Sequence, residues 1–130
     1  METETGRMLQ VRNLTRENLL CSRAVEADSF GRRALGMMFR KAWGEADGFL
    51  LAPCGSIHTF GMRMPIDVCF LDADMNILKT VSSLRPWRLA HGGSKAQKTL
   101  ELPAGALNRA SAKPGDRLHI EAMGSSEIVS

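Results

Sequence analysis

Residues 67–71, Asp-Val-Cys-Phe-Leu, place apolar side chains on both sides of an extended chain, Val68 and Phe70 on one side and Cys69 and Leu71 on the other. A strand with no polar side is typical of the centre of a sheet, where both faces are covered. Pro65 lies just before the run, and the polar stretch 72–76 after it predicts a hairpin loop. The chain is therefore expected to build a β-sheet around this buried strand.

Other short apolar or alternating segments predict the remaining strands, at residues 9–13, 18–23, 49–51, 77–82, 99–102 and 117–122. Helices are predicted at 30–36, where Asp28 and Ser29 can cap the first turn, at 39–43, and after Pro103 at 104–109. Six or seven short strands with one or two flanking helices predict an α+β, β-rich fold. We expect a compact, barrel-like mixed or antiparallel sheet.

The length of 130 residues suits one hydrophobic core, so we expect a single domain, residues 1–130, with flexible termini. No apolar stretch approaches the ~20 residues of a membrane-spanning helix. The first residues, METETGRML, lack the layout of a secretion signal. We therefore expect a cytoplasmic protein. The odd number of cysteines, in unrelated contexts, predicts reduced thiols: Cys21, Cys54 and Cys69.

The net charge of +3 and the pI near 9.0 invite a nucleic-acid interpretation, but the charge pattern argues against it. The twelve Arg and five Lys are scattered along the chain, and there is no Tyr to stack on a base. Nucleic-acid modules concentrate basic charge on one face and interleave it with aromatic residues.

A thiol and an imidazole, Cys54 and His58, lie four residues apart in a turn-rich segment. A cysteine nucleophile needs a neighbouring base, which His58 could supply, and a third group to orient the base, for which Thr59 and Asp67 are the nearest candidates in the sequence. In an enzyme the catalytic residues would be Cys54, His58 and Asp67. The alternative, which we favour, is a structural turn cysteine beside a hydrogen-bonded histidine.

The same pair could bind a metal, but zinc sites usually take about four ligands from two clusters, and only one cluster is present. The loop at 72–76 resembles the start of a calcium loop, yet Ile77 stands where that loop requires Gly. The sequence thus predicts no metal site and no cofactor.

Asp67 opens the buried strand, so its carboxylate either lies in water at the sheet edge or is buried and satisfied by an Arg or by backbone N–H groups. We expect a structural anchor that fixes the loop at 61–65, rather than a functional acid.

Two guanidinium groups flank an indole in the segment Arg85-Pro86-Trp87-Arg88. This trio suits an anionic or planar ligand, because Arg offers paired donors and Trp offers a stacking face. Alternatively, Trp87 closes the core and the Arg residues face solvent. Glu101 lies between two inward-facing Leu, so its side chain should leave the opposite face of the sheet, toward these Arg residues.

Three segments together resemble the DUF192 family, a domain of unknown function: LLAPCGSIHTFGMRMPIDVCFLD at 50–72, PWR at 86–88 and LELPAG at 100–105. The resemblance covers residues 13–121. It implies a compact β-rich fold, and it implies that some relatives carry an export leader. It implies no activity, because the family has none established.

The leading hypothesis is a non-catalytic binding module for a small anionic molecule or a protein partner, with residues 54–64 and 85–88 as its two walls. The candidate binding residues are Cys54, His58, Thr59, Met62, Arg85, Trp87, Arg88 and Glu101. The alternative is a small hydrolase- or transferase-like enzyme that uses Cys54 and His58. A third possibility is a Met-rich partner surface made of Met37, Met38, Met62 and Met64.

Overall fold

The computed structural model describes residues 7–27 and 46–123. The strands are β1 (Met8–Asn13), β2 (Asn18–Ala27), β3 (Gly48–Leu51), β4 (Ser56–His58), β5 (Ile66–Leu71), β6 (Ile77–Leu84), β7 (Leu89–His91), β8 (Lys98–Pro103) and β9 (Leu118–Ala122), and the helix α1 is Ala106–Ala110. The helices predicted at 30–36 and 39–43 lie outside the described residues. In the described part of the chain, no helix is long and apolar enough to span a membrane.

Seven strands form one sheet in the order β6-β5-β8-β3-β2-β1-β9. The neighbouring strands are antiparallel except for β2 and β3, which are parallel. The sheet curls and brings its two edge strands close together. This is seen in an isolated bridge that joins Asn76, before β6, to Arg117, before β9. The β-rich, barrel-like fold that the sequence predicts is confirmed.

The strands β4 and β7 form a separate two-stranded ribbon, in which His58 pairs with Leu89. The ribbon was not predicted, because each of its strands has three residues and no apolar repeat. It packs very close to the sheet: a Cβ added at Gly92 would lie 2.4 Å from Cβ of Phe70. Only glycine permits such an approach. The Lys79 amine also donates to the His91 carbonyl at 3.1 Å, which ties β6 to the ribbon.

The central strand β5 is buried along its whole length, as the two-sided apolar run predicts. Successive side chains of a strand point to opposite faces, so β5 and its neighbours serve two cores. The first core packs against α1 and includes Leu9, Val11, Leu50, Cys69, Leu71, Leu100, Leu102 and Leu107. The second core lies on the ribbon side and includes Phe49, Leu51, Met62, Ile66, Val68 and Phe70.

Candidate functional site

A tight turn follows β4 and places Phe60 at its tip. The Met62 amide donates to the Thr59 carbonyl at 3.2 Å, and Gly61 takes φ 85° between them. A positive φ at the third turn position favours glycine. The chain therefore turns sharply at Gly61. Phe60 is exposed by this turn, whereas Met62 is buried in the second core.

Hydrogen bonds of Thr59 join this turn to the segment 85–88. Its side chain is fully buried, and its hydroxyl donates to the Arg85 carbonyl at 2.7 Å and accepts from the Arg88 amide at 2.8 Å. Its own amide donates to the Arg88 carbonyl at 2.8 Å, and its carbonyl accepts from the Trp87 amide at 3.0 Å. All the hydrogen-bonding groups of Thr59 are thus used to hold two loops in one arrangement.

The rings of His58, Phe60 and Trp87 form a row. The rings of His58 and Phe60 are 4.9 Å apart, and those of Phe60 and Trp87 are stacked at 5.6 Å. Leu89 lies directly across the ribbon from His58. The exposed fractions are 40% for Phe60, 64% for Trp87 and 73% for Leu89. These are large apolar groups that the described part of the protein leaves in solvent.

Trp87 has a φ of 66°, a backbone conformation that an L-residue rarely adopts. Such a conformation costs on the order of 1–3 kcal/mol and persists only when its surroundings enforce it. Here the hydrogen bonds from Thr59 to residues 85, 87 and 88 supply that enforcement. The exposed indole is therefore held in place.

The segments that carry the row are basic in sequence. Residues 48–66 and 75–100 contain six Arg or Lys and no Asp or Glu. Arg85 and Arg88 are exposed, and the Arg88 guanidinium lies over its own loop, donating to the carbonyls of Pro86 and Trp87 at 3.4 Å. We call the surface formed by His58, Phe60, Arg85, Trp87, Arg88 and Leu89 the aromatic–arginine face.

Cys54 and His58 are not hydrogen-bonded to each other. The Cys54 thiol donates to the Ser56 carbonyl at 3.1 Å, and its backbone is held by Gln97 and by the Thr99 hydroxyl. The Nδ1 atom of His58 accepts from the Phe60 amide at 3.3 Å. The imidazole thus supports the exposed turn.

Asp67 lies on the opposite side of the sheet from Cys54. It shares the face of Cys69 and Leu71, in the first core, whereas Cys54 packs against the second. Its carboxylate is fully buried and accepts from the amides of Ser83 at 2.8 Å, Gly105 at 3.0 Å and Leu107 at 2.9 Å. Of the two predicted environments the buried one is found, and backbone N–H groups satisfy the charge.

The expectation that Glu101 faces Arg85 and Arg88 is wrong. Its side chain does leave the face opposite to its Leu neighbours, but it is buried between the cross-strand partners Phe49 and Val68. Within the described residues Oε1 has no hydrogen-bond partner. Burial raises the pKa of the Glu101 carboxyl to about 8. Strand alternation predicts on which face of the sheet Glu101 lies, but it does not predict which residues cover that face.

The Met-rich surface is also corrected. Met62 is buried in the second core and Met64 is half-buried against it, while Met37 and Met38 lie outside the described residues. Cys69 is fully buried, as expected of a core thiol. Across residues 7–27 and 46–123, no group of three His, Cys, Asp or Glu side chains is placed to hold a metal ion.

Comparison with known proteins agrees with the motifs at 50–72, 86–88 and 100–105. Residues 12–120 match the model of DUF192, described as "Uncharacterized ACR". The chain belongs to the DUF192 family. An uncharacterised relative, a UPF0127 protein of Pyrococcus horikoshii, is 38% identical over 97 residues, which is 71% of this chain and 82% of the relative. A UPF0127 protein of Thermococcus sibiricus is 31% identical over 113 residues, covering 84% of this chain and 73% of the relative.

Two solved structures share the fold. A protein described as a putative transcription regulator, from Sinorhizobium meliloti, superposes with a TM-score of 0.78 at 20% identity, over 94% of this chain and 97% of that one. A protein of unknown function from Novosphingobium aromaticivorans superposes with a TM-score of 0.73 at 20% identity, over 86% of this chain and 83% of that one. At 20% identity, these two structures show only that they share the fold of this chain.

Sequence reasoning singled out Arg85, Trp87 and Arg88 but missed Phe60 and Leu89, which complete the face. Neither residue stands out from the apolar background of the sequence. The stretch without Asp or Glu from 75 to 100 is the signal that could have indicated a basic, acid-free surface.

Proposed function

We propose that this DUF192 protein is a protein-binding module, and that its aromatic–arginine face binds an acidic segment of the partner. The observation that carries the proposal is the exposed stack of Phe60 and Trp87, held in place by the hydrogen bonds of the buried Thr59. Solvent exposure of such apolar area is unfavourable unless a partner covers it.

The composition of the face favours a protein over a small molecule. Small-molecule sites are concave and enclose most of the ligand. Phe60, Trp87 and Leu89 instead project outward, with 40%, 64% and 73% of their surface exposed. Trp and Arg are the residues that most often dominate the energetics of protein interfaces. A small anionic molecule is therefore the less favoured of the two ligand classes expected from the sequence.

Charge complementarity indicates an acidic partner. The exposed Arg85 and Arg88 flank Trp87 in the chain, and residues 75–100 contain no Asp or Glu that could compete for them. Arg can bond a carboxylate with two parallel N–H groups, which adds orientation to attraction. Such exposed pairs contribute modestly and are screened by salt. We expect the apolar anchors to supply most of the affinity and the arginines to supply specificity.

Cysteine catalysis has less support. The Cys54 thiol is bonded to a backbone carbonyl, His58 is bonded to the Phe60 amide, and Asp67 serves the other core. A nucleophile, its base and the group that orients the base must be in contact to work as a unit. The likeness to the Sinorhizobium protein is one of fold alone at 20% identity, so it does not redirect the proposal to nucleic acid.

The test is a selection from a displayed library of random twelve-residue peptides on the immobilised wild-type protein. A variant with Trp87→Ala and Leu89→Ser serves for counter-selection, because both side chains are exposed and their loss should not unfold the chain. We expect enriched peptides with net negative charge and at least one large apolar residue, and binding at least about tenfold weaker to the variant. Peptides that bind both proteins equally would overturn the proposal, as would a failure to enrich any.

A further inference from the structure

The two strands of the ribbon are hydrogen-bonded to each other at alternate residues. The Thr59 amide donates to the Arg88 carbonyl at 2.8 Å, and the Gly92 amide donates to the Gly55 carbonyl at 2.9 Å. Between these bonds lie two register pairs, Ser56 with His91 and His58 with Leu89. These are the non-hydrogen-bonded pairs of an antiparallel ladder, so their backbone N–H and C=O groups point away from the partner strand, toward the two outer edges of the ribbon.

The outer edge of β7 is open. Among the described residues β7 pairs with β4 alone, and the amide and carbonyl of Leu89 and the amide of His91 have no hydrogen-bond partner there. The Lys79 amine occupies the His91 carbonyl at 3.1 Å. Leu89 and His91 are both exposed. The outer edge of β4 is less open, because the Cys54 thiol donates to the Ser56 carbonyl.

An unpaired strand edge can pair with an extended segment of another chain. The charges at this edge favour an acidic segment: Lys79 reaches it, Arg88 precedes it, and residues 75–100 contain no Asp or Glu. Two copies of this chain would bring like charges together at the same edge, which disfavours pairing between copies. The edge also continues the aromatic–arginine face, to which Leu89 belongs.

We propose that the acidic segment of the partner binds as a β-strand added to the outer edge of β7. This mode of binding rests on the proposed function, since it gives the conformation of the segment that the aromatic–arginine face binds. The backbone of the added strand bonds the amide and carbonyl of Leu89 and the amide of His91. Its side chains alternate between two faces. Apolar ones lie beside Leu89, and acidic ones, on the side of the sheet, reach Lys79 of β6.

The test is an N-methyl scan of the most enriched acidic peptide from the selection described above. The peptide is synthesised unmodified and with one backbone N-methyl group at each position in turn, and calorimetry measures its affinity for the wild-type protein. N-methylation removes an N–H donor and places a methyl group in the ladder. We expect affinity to fall at least about tenfold at alternate positions of the bound stretch, and less than about twofold at the positions between them.

Amide hydrogen exchange, followed by nuclear magnetic resonance, locates the added strand on the protein. The unmodified peptide should slow exchange of the Leu89 and His91 amides at least about tenfold. The Ser56 amide, which points to the outer edge of β4, is the internal control and should exchange at the same rate with and without peptide.

The outcomes separate this mode of binding from the proposed function. A peptide that binds the wild type with no alternation in its N-methyl scan, or that leaves the Leu89 and His91 amides unprotected, overturns strand addition but not the protein-binding face. If the selection enriches no peptide, the proposed function fails and strand addition fails with it.

Discussion

Thr59 and Arg88 are joined by hydrogen bonds in both directions: the Thr59 amide donates to the Arg88 carbonyl, and the Arg88 amide donates to the Thr59 side-chain hydroxyl, each at 2.8 Å. Phe60 follows Thr59 in the chain and Trp87 precedes Arg88, so this pair determines the geometry of the exposed face. The face therefore depends on one buried hydroxyl, and that dependence can be measured.

Replacing Thr59 by Val should destabilise the protein by about 1–3 kcal/mol, because the Arg88 amide and the Arg85 carbonyl lose their partner in a buried position. Urea unfolding measures the loss. Thr80→Val, at a half-buried position on β6, is the control and should cost less than about 1 kcal/mol. If the two variants unfold at the same urea concentration, the hydroxyl does not hold the loops together.

Replacing Asp67 by Ala should lower the free energy of unfolding by about 2 kcal/mol or more, since the amides of Ser83, Gly105 and Leu107 are left unpaired. Asp67→Asn should be nearly as harmful, because its NH₂ group would face other donors. Asp74→Ala, in the exposed hairpin loop, is the matched control. An unchanged urea midpoint for Asp67→Ala would show that these bonds do not stabilise the fold.

The buried carboxyl of Glu101 should make stability depend on pH. Its pKa rises from 4.5 to about 8 on folding, so between these values the folded protein keeps a proton that the unfolded chain releases. Stability from this group is then fullest below pH 4.5 and falls by at most about 1.4 kcal/mol for each pH unit up to about 8.

Glu101→Gln removes this titration and should be more stable than the wild type at pH 8, with a smaller difference at pH 5. Urea unfolding at the two pH values measures it, and Glu17→Gln, in the exposed turn after β1, controls for the loss of one charge. A difference between Glu101→Gln and the wild type that does not change with pH would contradict a buried, protonated Glu101.

Alkylation tests whether Cys54 and His58 act together. In the folded protein Cys54 should react with iodoacetamide at pH 7 no faster than free cysteine, and His58→Ala should leave its rate unchanged, because the thiol donates to the Ser56 carbonyl. Peptide mass spectrometry distinguishes it from Cys69, which is fully buried and should stay unmodified. If the alkylation rate of Cys54 falls about tenfold or more in His58→Ala, the result would support the enzyme hypothesis.

The sequence predicted what depends on local pattern. The two-sided apolar run identified β5 as a central strand, and strand alternation placed Glu101 opposite to its Leu neighbours. The ribbon of β4 and β7 could not be predicted, because three-residue strands carry no period and are held by partners distant in sequence. The same applies to Thr59, whose hydroxyl bonds residues 26 and 29 positions away.

A peptide selection on a charge-reversed face, with Arg85→Glu and Arg88→Glu in one protein, decides whether the face selects an acidic partner. Both side chains are exposed, so the fold should survive. If Arg85 and Arg88 select the charge of the partner while the aromatic rings bind its apolar residues, the selected peptides should change from net acidic to net basic and keep their large apolar residues. Recovery of the same acidic peptides from both proteins would show that Arg85 and Arg88 do not select the charge of the partner.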